Sequence, residues 1–235
     1  MSRRRGDIGH RRLLVMAALV FVSDNPAAWT AAGFAVTETA YGPAAVFANG
    51  AVVLGAAGPP RMVLGSDASK LEAPQHPNGA GRLSRIGVHV RSGVDVAAAA
   101  AELSALHGLA PVAAAPGVVS VGSRSMTFLR HPESNTIVEL LSGRAGDVPG
   151  GVSTALWGLI ITMADMPRAL SIATNAGLLA APARPLKQDV SRPDRASDPK
   201  FIATLRAEDM FALKLALVGK MTGPAGTRGG LGSKL

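Results

Sequence analysis

IGVHVRSGVDVAAAAAELSALHGLAP, residues 86–111, passes from an apolar run through an Asp into an alanine-rich stretch and stops at Gly-Leu. An Asp ahead of a helical run can accept backbone N–H bonds at the helix start, and a Gly just past it supplies the left-handed stop. The segment therefore reads as strand, cap, helix, stop. The same order occurs twice more, as LLVMAALVFVSDNPAAWTAAGFAV over residues 13–36 and LWGLIITMADMPRALSIATNAGLLAAP over residues 156–182. Asp24, Asp95 and Asp165 follow the three apolar runs at steps of 71 and 70 residues. A near-constant period means one supersecondary unit used three times, because each copy needs the same strand exit, helix start and helix stop.

Each unit then continues into β structure. In the first, AAVFA and AVVLGA flank Asn49-Gly50, a dipeptide suited to a tight hairpin turn. Residues 61–65 read as one more short strand. In the second, residues 118–121, 125–130 and 136–142 read as strands, so the order is β-α-β-β-β. The third closes on a hairpin of residues 201–206 and 213–218 about an acidic turn at Glu208-Asp209. The fold class expected is α+β, built of repeated modules over residues 12–70, 84–143 and 152–219. A basic arm (1–11) precedes them and a flexible Gly-rich tail (220–235) follows.

Composition narrows the function. A chain of 235 residues that is 48% hydrophobic can bury a substantial core. With no Cys there is no disulfide framework, thiolate nucleophile or thiolate metal ligand. The net charge of +8 is spread over ends and linkers, and with one Tyr, two Trp and six Phe there is little to stack on bases, so no specific nucleic-acid partner is expected. No apolar run approaches the roughly 18 residues of a membrane helix. Residues 1–22 read in two ways: a basic arm before a first strand in a cytoplasmic protein, or the basic and apolar regions of an export signal. The Ser-Asp-Asn-Pro that follows matches the strand exits of the other units and favours the strand. No Walker loop, dinucleotide-binding glycine fingerprint or Ser-His-Asp set is present.

Three units carrying VSDNPAAWTAAGF, VRSGVDVAAAAAELSALHGLAPV with HPESNTIVELL, and LIITMADMPRALSIATNAGL with FIATLR resemble the vicinal oxygen chelate superfamily, the glyoxalase, bleomycin-resistance and extradiol-dioxygenase fold. The resemblance implies curved half-barrel sheets in which two units pair around a cavity. Units one and two are expected to pair, leaving unit three to be buried against them or against a second copy in a homodimer. It also implies that enzymatic members hold a divalent metal (Zn, Fe, Mn or Ni) with His, Gln or Glu from first and last strands. Glu139, in TIVELL, matches the carboxylate position. His89 stands one residue from the expected first-strand position, Val88, and a one-residue slip reverses a strand side chain's face. Unit one offers only Ala17, and Gln188 is the remaining candidate for a third ligand.

Arg130 and Arg206, in the matching FLR and TLR segments, are candidates for an anionic ligand, with Trp157 and Phe128 as apolar walls. Two functions follow. One is a protein binding a small organic molecule in a sheet-lined cavity with an incomplete metal site. The other is a metal-dependent lyase, isomerase or dioxygenase, with Glu139 as ligand or proton shuttle. The three repeated Asp residues are expected to cap helices.

Overall fold

A computed structural model of the chain describes residues 17–66, 71–113, 117–186, 200–206 and 211–221. The basic arm, Gln188, the Glu208-Asp209 turn and all but the start of the tail lie outside the described residues. The first module comprises β1 (Ala17–Phe21), α1 (Pro26–Ala31), β2 (Val36–Thr39), β3 (Gly42–Phe47) and β4 (Gly50–Val53). After β5 (Arg61–Ser66), the second comprises β6 (Ala80–Val90), α2 (Val96–His107), β7 (Ala110–Pro111), β8 (Val119–Val121), β9 (Arg124–Arg130) and β10 (Ile137–Ser142). The third comprises β11 (Thr154–Met163), α3 (Met166–Asn175), β12 (Arg184–Pro185), β13 (Phe201–Thr204) and β14 (Lys214–Gly219). The class is α+β. In each module the first strand runs parallel to the last, which pairs antiparallel with the strand before it.

The caps explain the repeat. Asp95 accepts from Ala97 N–H and Asp165 from Arg168 N–H, and α2 ends on Gly108 in the left-handed region. Asp24 departs from the expectation that all three aspartates cap helices. Asn25 takes that place, accepting from Ala27 N–H, while the buried Asp24 accepts from Trp29 Nε1 at 2.8 Å and from the Ala212 backbone N–H. It joins the first module to the third. The expected Asn49-Gly50 turn also shifts by one residue. Phe47 pairs with Gly50, so Ala48 and Asn49 form the turn, and a Cβ on Gly50 would lie 2.4 Å from Ala18 O. That glycine is needed for close approach of β1, and Asn49 is freed to bond Leu83 N–H, Leu83 O and Thr136 Oγ1 in the second module.

The pairing of modules differs from the expectation that units one and two share a sheet. β6 and β11 lie side by side, antiparallel from Thr154↔Val90 to Met163↔Ala80, and join modules two and three into one nine-stranded sheet of order β12-β13-β14-β11-β6-β10-β9-β7, with β8 also on β9. The two strands, of eleven and ten residues, offer a long seam. The outer edge of β1 is taken by β5, running antiparallel to it, which leaves module one in a five-stranded sheet of order β2-β3-β4-β1-β5. The third module therefore has no unpaired first strand to drive dimerisation.

Helices α2 and α3 lie on one face of the large sheet. α2 packs Ala99 and Leu103 with Val88, Val90, Val138 and Leu140. On α3, Met166, Ala169 and Ala173 join Leu159, Ile161, Leu215 and Leu217 in a core that also takes Val20, Trp29, Phe47 and Val52 from module one. Module one thus packs against the helical side of the sheet, and the opposite side carries the polar residues. No described helix is long and apolar enough to cross a membrane.

Candidate functional site

Strand alternation sets this second face. Ile86, Val88 and Val90 point into the apolar clusters, so Arg85, Gly87 and His89 point the other way. Register then carries the face across the sheet: Glu139 pairs with Gly87 on one side and Gly158 with Gly87 on the other. The one-residue offset of His89 from Val88 was expected to threaten its orientation. It has the opposite result, because Val88 is the core residue and His89 shares the face of Glu139.

A β-bulge shapes the middle of the seam. Leu156 pairs with Val88 and Gly158 with Gly87, so Trp157 is the extra residue, and a bulge re-aims the side chain it carries. The indole lies against Gly87, where a Cβ would meet Trp157 Nε1 at 2.6 Å. His89 stacks on it, with ring centroids 5.1 Å apart and planes 16° from parallel. Trp157 Nε1 is buried and has no hydrogen-bond partner.

Two charged groupings flank the indole. Arg85 Nη1 donates to Glu139 Oε2 at 3.0 Å, with both side chains 13% exposed, and the guanidinium lies 5.3 Å over the Phe128 ring. On the other side His89 Nδ1 is 3.4 Å from Asp147 Oδ2, which also accepts from Arg124 Nη2 and from Arg144 N–H. Desolvation holds the His89 pKa below the ordinary histidine value, against the pull of Asp147 and with help from Arg124 and Lys214. Asp147 is held below the usual carboxylate range, chiefly by the Arg144 N–H.

A cavity of about 170 Å³ opens beside Trp157, walled by Arg85, Glu139, Ile160, Ile202 and Thr204, with Arg184 and Lys214 at its more exposed side. Among the described residues, Arg85, Arg184 and Lys214 outnumber its single carboxylate. Lys214 holds the counterpart of Glu139's place: it is the register partner of Gly158 on the last strand of module three, as Glu139 is of Gly87 in module two.

Of the residues singled out from sequence, Glu139 and Trp157 line this cavity. His89 stands behind the indole, and its charged partner is Asp147. Phe128 is buried beneath Arg85 as part of an apolar cluster with Met126 and Ile137. Arg206 is elsewhere, donating from Nε to Leu179 O and lining a separate, shallower depression at the end of α3. Arg130 pairs in register with Ile137 and Ala110 away from the cavity, its Nε buried without a partner. Sequence reading passed over Arg85, Arg184 and Lys214. The Arg85-Gly87-His89 alternation could have disclosed the first, and aligning the closing strands of the repeats the third; nothing local marks Arg184.

The donor set does not fit a divalent metal. Glu139 is engaged by a guanidinium, the matching position is an ammonium, and no cluster of three or more His, Asp or Glu side chains occurs among the described residues. A first-row site needs about three converging protein donors.

No family model and no curated protein matches the chain. Among solved structures, the chain is similar to methylmalonyl-CoA epimerase from Mycobacterium tuberculosis (14% identity, 61% of this chain and 90% of that one, TM-score 0.44). It is also similar to a mutant of 4-hydroxymandelate synthase from Streptomyces coelicolor (14%, 89% and 70%, TM-score 0.42) and to a hypothetical protein from Bacillus halodurans (16%, 61% and 96%, TM-score 0.40). At these TM-scores the likenesses carry no argument about activity. By its own strand order, with a helix after the first strand of each of three modules and that strand parallel to the last, the chain has the module plan of a vicinal-oxygen-chelate-like fold.

Proposed function

We propose that the chain binds a small organic molecule in the cavity between Trp157 and the closing strands of modules two and three, and that it does so without a protein-held metal. The observation that carries this reading is the Arg85–Glu139 pair. A carboxylate bonded to a guanidinium at 3.0 Å and mostly removed from water is already engaged, and a metal would have to displace that partner. Trp157 and Ile160 supply apolar wall, and the polar groups around them fix orientation, the usual division of labour in a ligand site. The volume lies below the roughly 300 Å³ lower end of drug-sized pockets, which suits a small ligand. A metal-dependent lyase, isomerase or dioxygenase would require Glu139 to leave Arg85 and two further donors to converge on it.

The test is metal content by elemental mass spectrometry after loading with Mn, Fe, Co, Ni and Zn salts and dialysis. The expected result is substoichiometric metal, unchanged in Glu139→Ala. Near-stoichiometric metal that disappears in Glu139→Ala would overturn the metal-free reading.

A further inference from the structure

We infer that the ligand of this cavity is a small organic anion, a carboxylate or phosphate ester, with its charged group between Arg184 and Lys214 and its apolar body against Trp157. The inference rests on the ligand-binding reading above and adds the class of ligand. Among the described residues, three cations and one carboxylate line the cavity, and that carboxylate is bonded to Arg85. Arg184 and Lys214 have no ion-pair partner among the described residues, and they come from different closing strands of module three, β12 and β14. Among the described residues the wall therefore carries a net charge of two positive units, with the paired charges on the side of module two and the other two on the side of module three.

One more feature fits an acid. Asp147, the other carboxylate of this face, is bonded to His89, Arg124 and the Arg144 N–H and is not part of the wall, so it does not offset Arg184 or Lys214 there. A cavity of about 170 Å³ admits one acid group and a short body, and excludes a polyanionic strand.

Calorimetric titration of the full chain with matched pairs tests this: benzoate against benzamide, hexanoate against hexanamide, and phenyl phosphate against phenol. The acids are expected to bind about tenfold or more tighter than their neutral partners, as one charge-assisted contact implies. The double variant Arg184→Gln/Lys214→Gln should bring the ratio of acid to neutral affinity close to one, and Trp157→Ala should weaken both classes. Equal binding of acid and neutral partner, or a preference that survives the double variant, would overturn the anion assignment and leave the ligand site standing. Failure of every probe to bind the wild-type chain would overturn the ligand site itself.

Discussion

His76 is fixed in one tautomer by its neighbours. Nδ1 accepts from Ala35 N–H at 3.0 Å, so the proton is on Nε2, which donates to Val46 O at 2.9 Å, and the Phe34 and Phe47 rings lie beside the imidazole. Protonation would aim a second N–H at the Ala35 donor. Burial accordingly lowers the His76 pKa from the ordinary 6.5. The folded state then binds fewer protons than the unfolded one as pH falls past 6.5, so the stability His76 contributes is complete above that pH and is lost below it, down through its folded pKa. The thermal midpoint of the wild-type chain should drop between pH 7.5 and pH 5, and His76→Asn should flatten that slope whatever its own stability. An unchanged slope in the variant would show that His76 does not titrate with folding. His89 and His107 are lowered by burial too and add slope of the same sign, whereas Asp24, raised by burial, opposes it. Nothing in the sequence marked His76, because its partners are the backbones of residues 35 and 46, and only the fold brings them near.

Among the elements, the β6–β11 seam does most to determine the site, and its shape depends on one glycine. Gly87 is not in a left-handed conformation; it is required because the bulge at Trp157 lays the indole where a Cβ would stand. Gly87→Ala is expected to push the indole off the strand, separate it from His89, shift its emission to the red, and destabilise the fold by about 1–3 kcal/mol, the usual cost of overpacking. Fluorescence and urea titration together check this; a variant with unchanged emission would mean that the indole does not rest on Gly87. Strand and helix of each module, and the caps of the second and third, were legible in the sequence because those signals are local and repeat. Glu139 was legible as a charge in an apolar strand. The partner of each module was not, since edge pairing joins residues far apart in the chain and depends on which edge β5 covers. Arg85 and Lys214 gain their meaning from that pairing, and were missed with it.

Across the whole molecule, the question is whether module one is an independent domain or part of one folding unit. Its separate five-stranded sheet argues for independence. Three features outweigh that. Its apolar side is not closed by α1 alone but shares one core with β6, β11, α3 and β14. Asn49 replaces a missing strand partner for Leu83, so losing it would leave buried backbone groups unpaired, at about 1–3 kcal/mol each. Asp24 holds both Trp29 and the Ala212 backbone, and Trp29 meets the Phe211 ring of module three edge-on at 5.8 Å. Separating the modules would therefore break a shared core and strand several buried polar groups at once, which makes unfolding all-or-none. The two tryptophans report on the two regions: Trp29 on the contact of module one with module three, Trp157 on the seam of modules two and three. In single-tryptophan variants, Trp29→Phe and Trp157→Phe, each corrected for its own stability by circular dichroism, the fluorescence transition in urea should coincide with the loss of secondary structure for both reporters. If Trp29 fluorescence changes at lower urea than the secondary structure does, module one detaches first, and the shared core is too weak to couple the sheets.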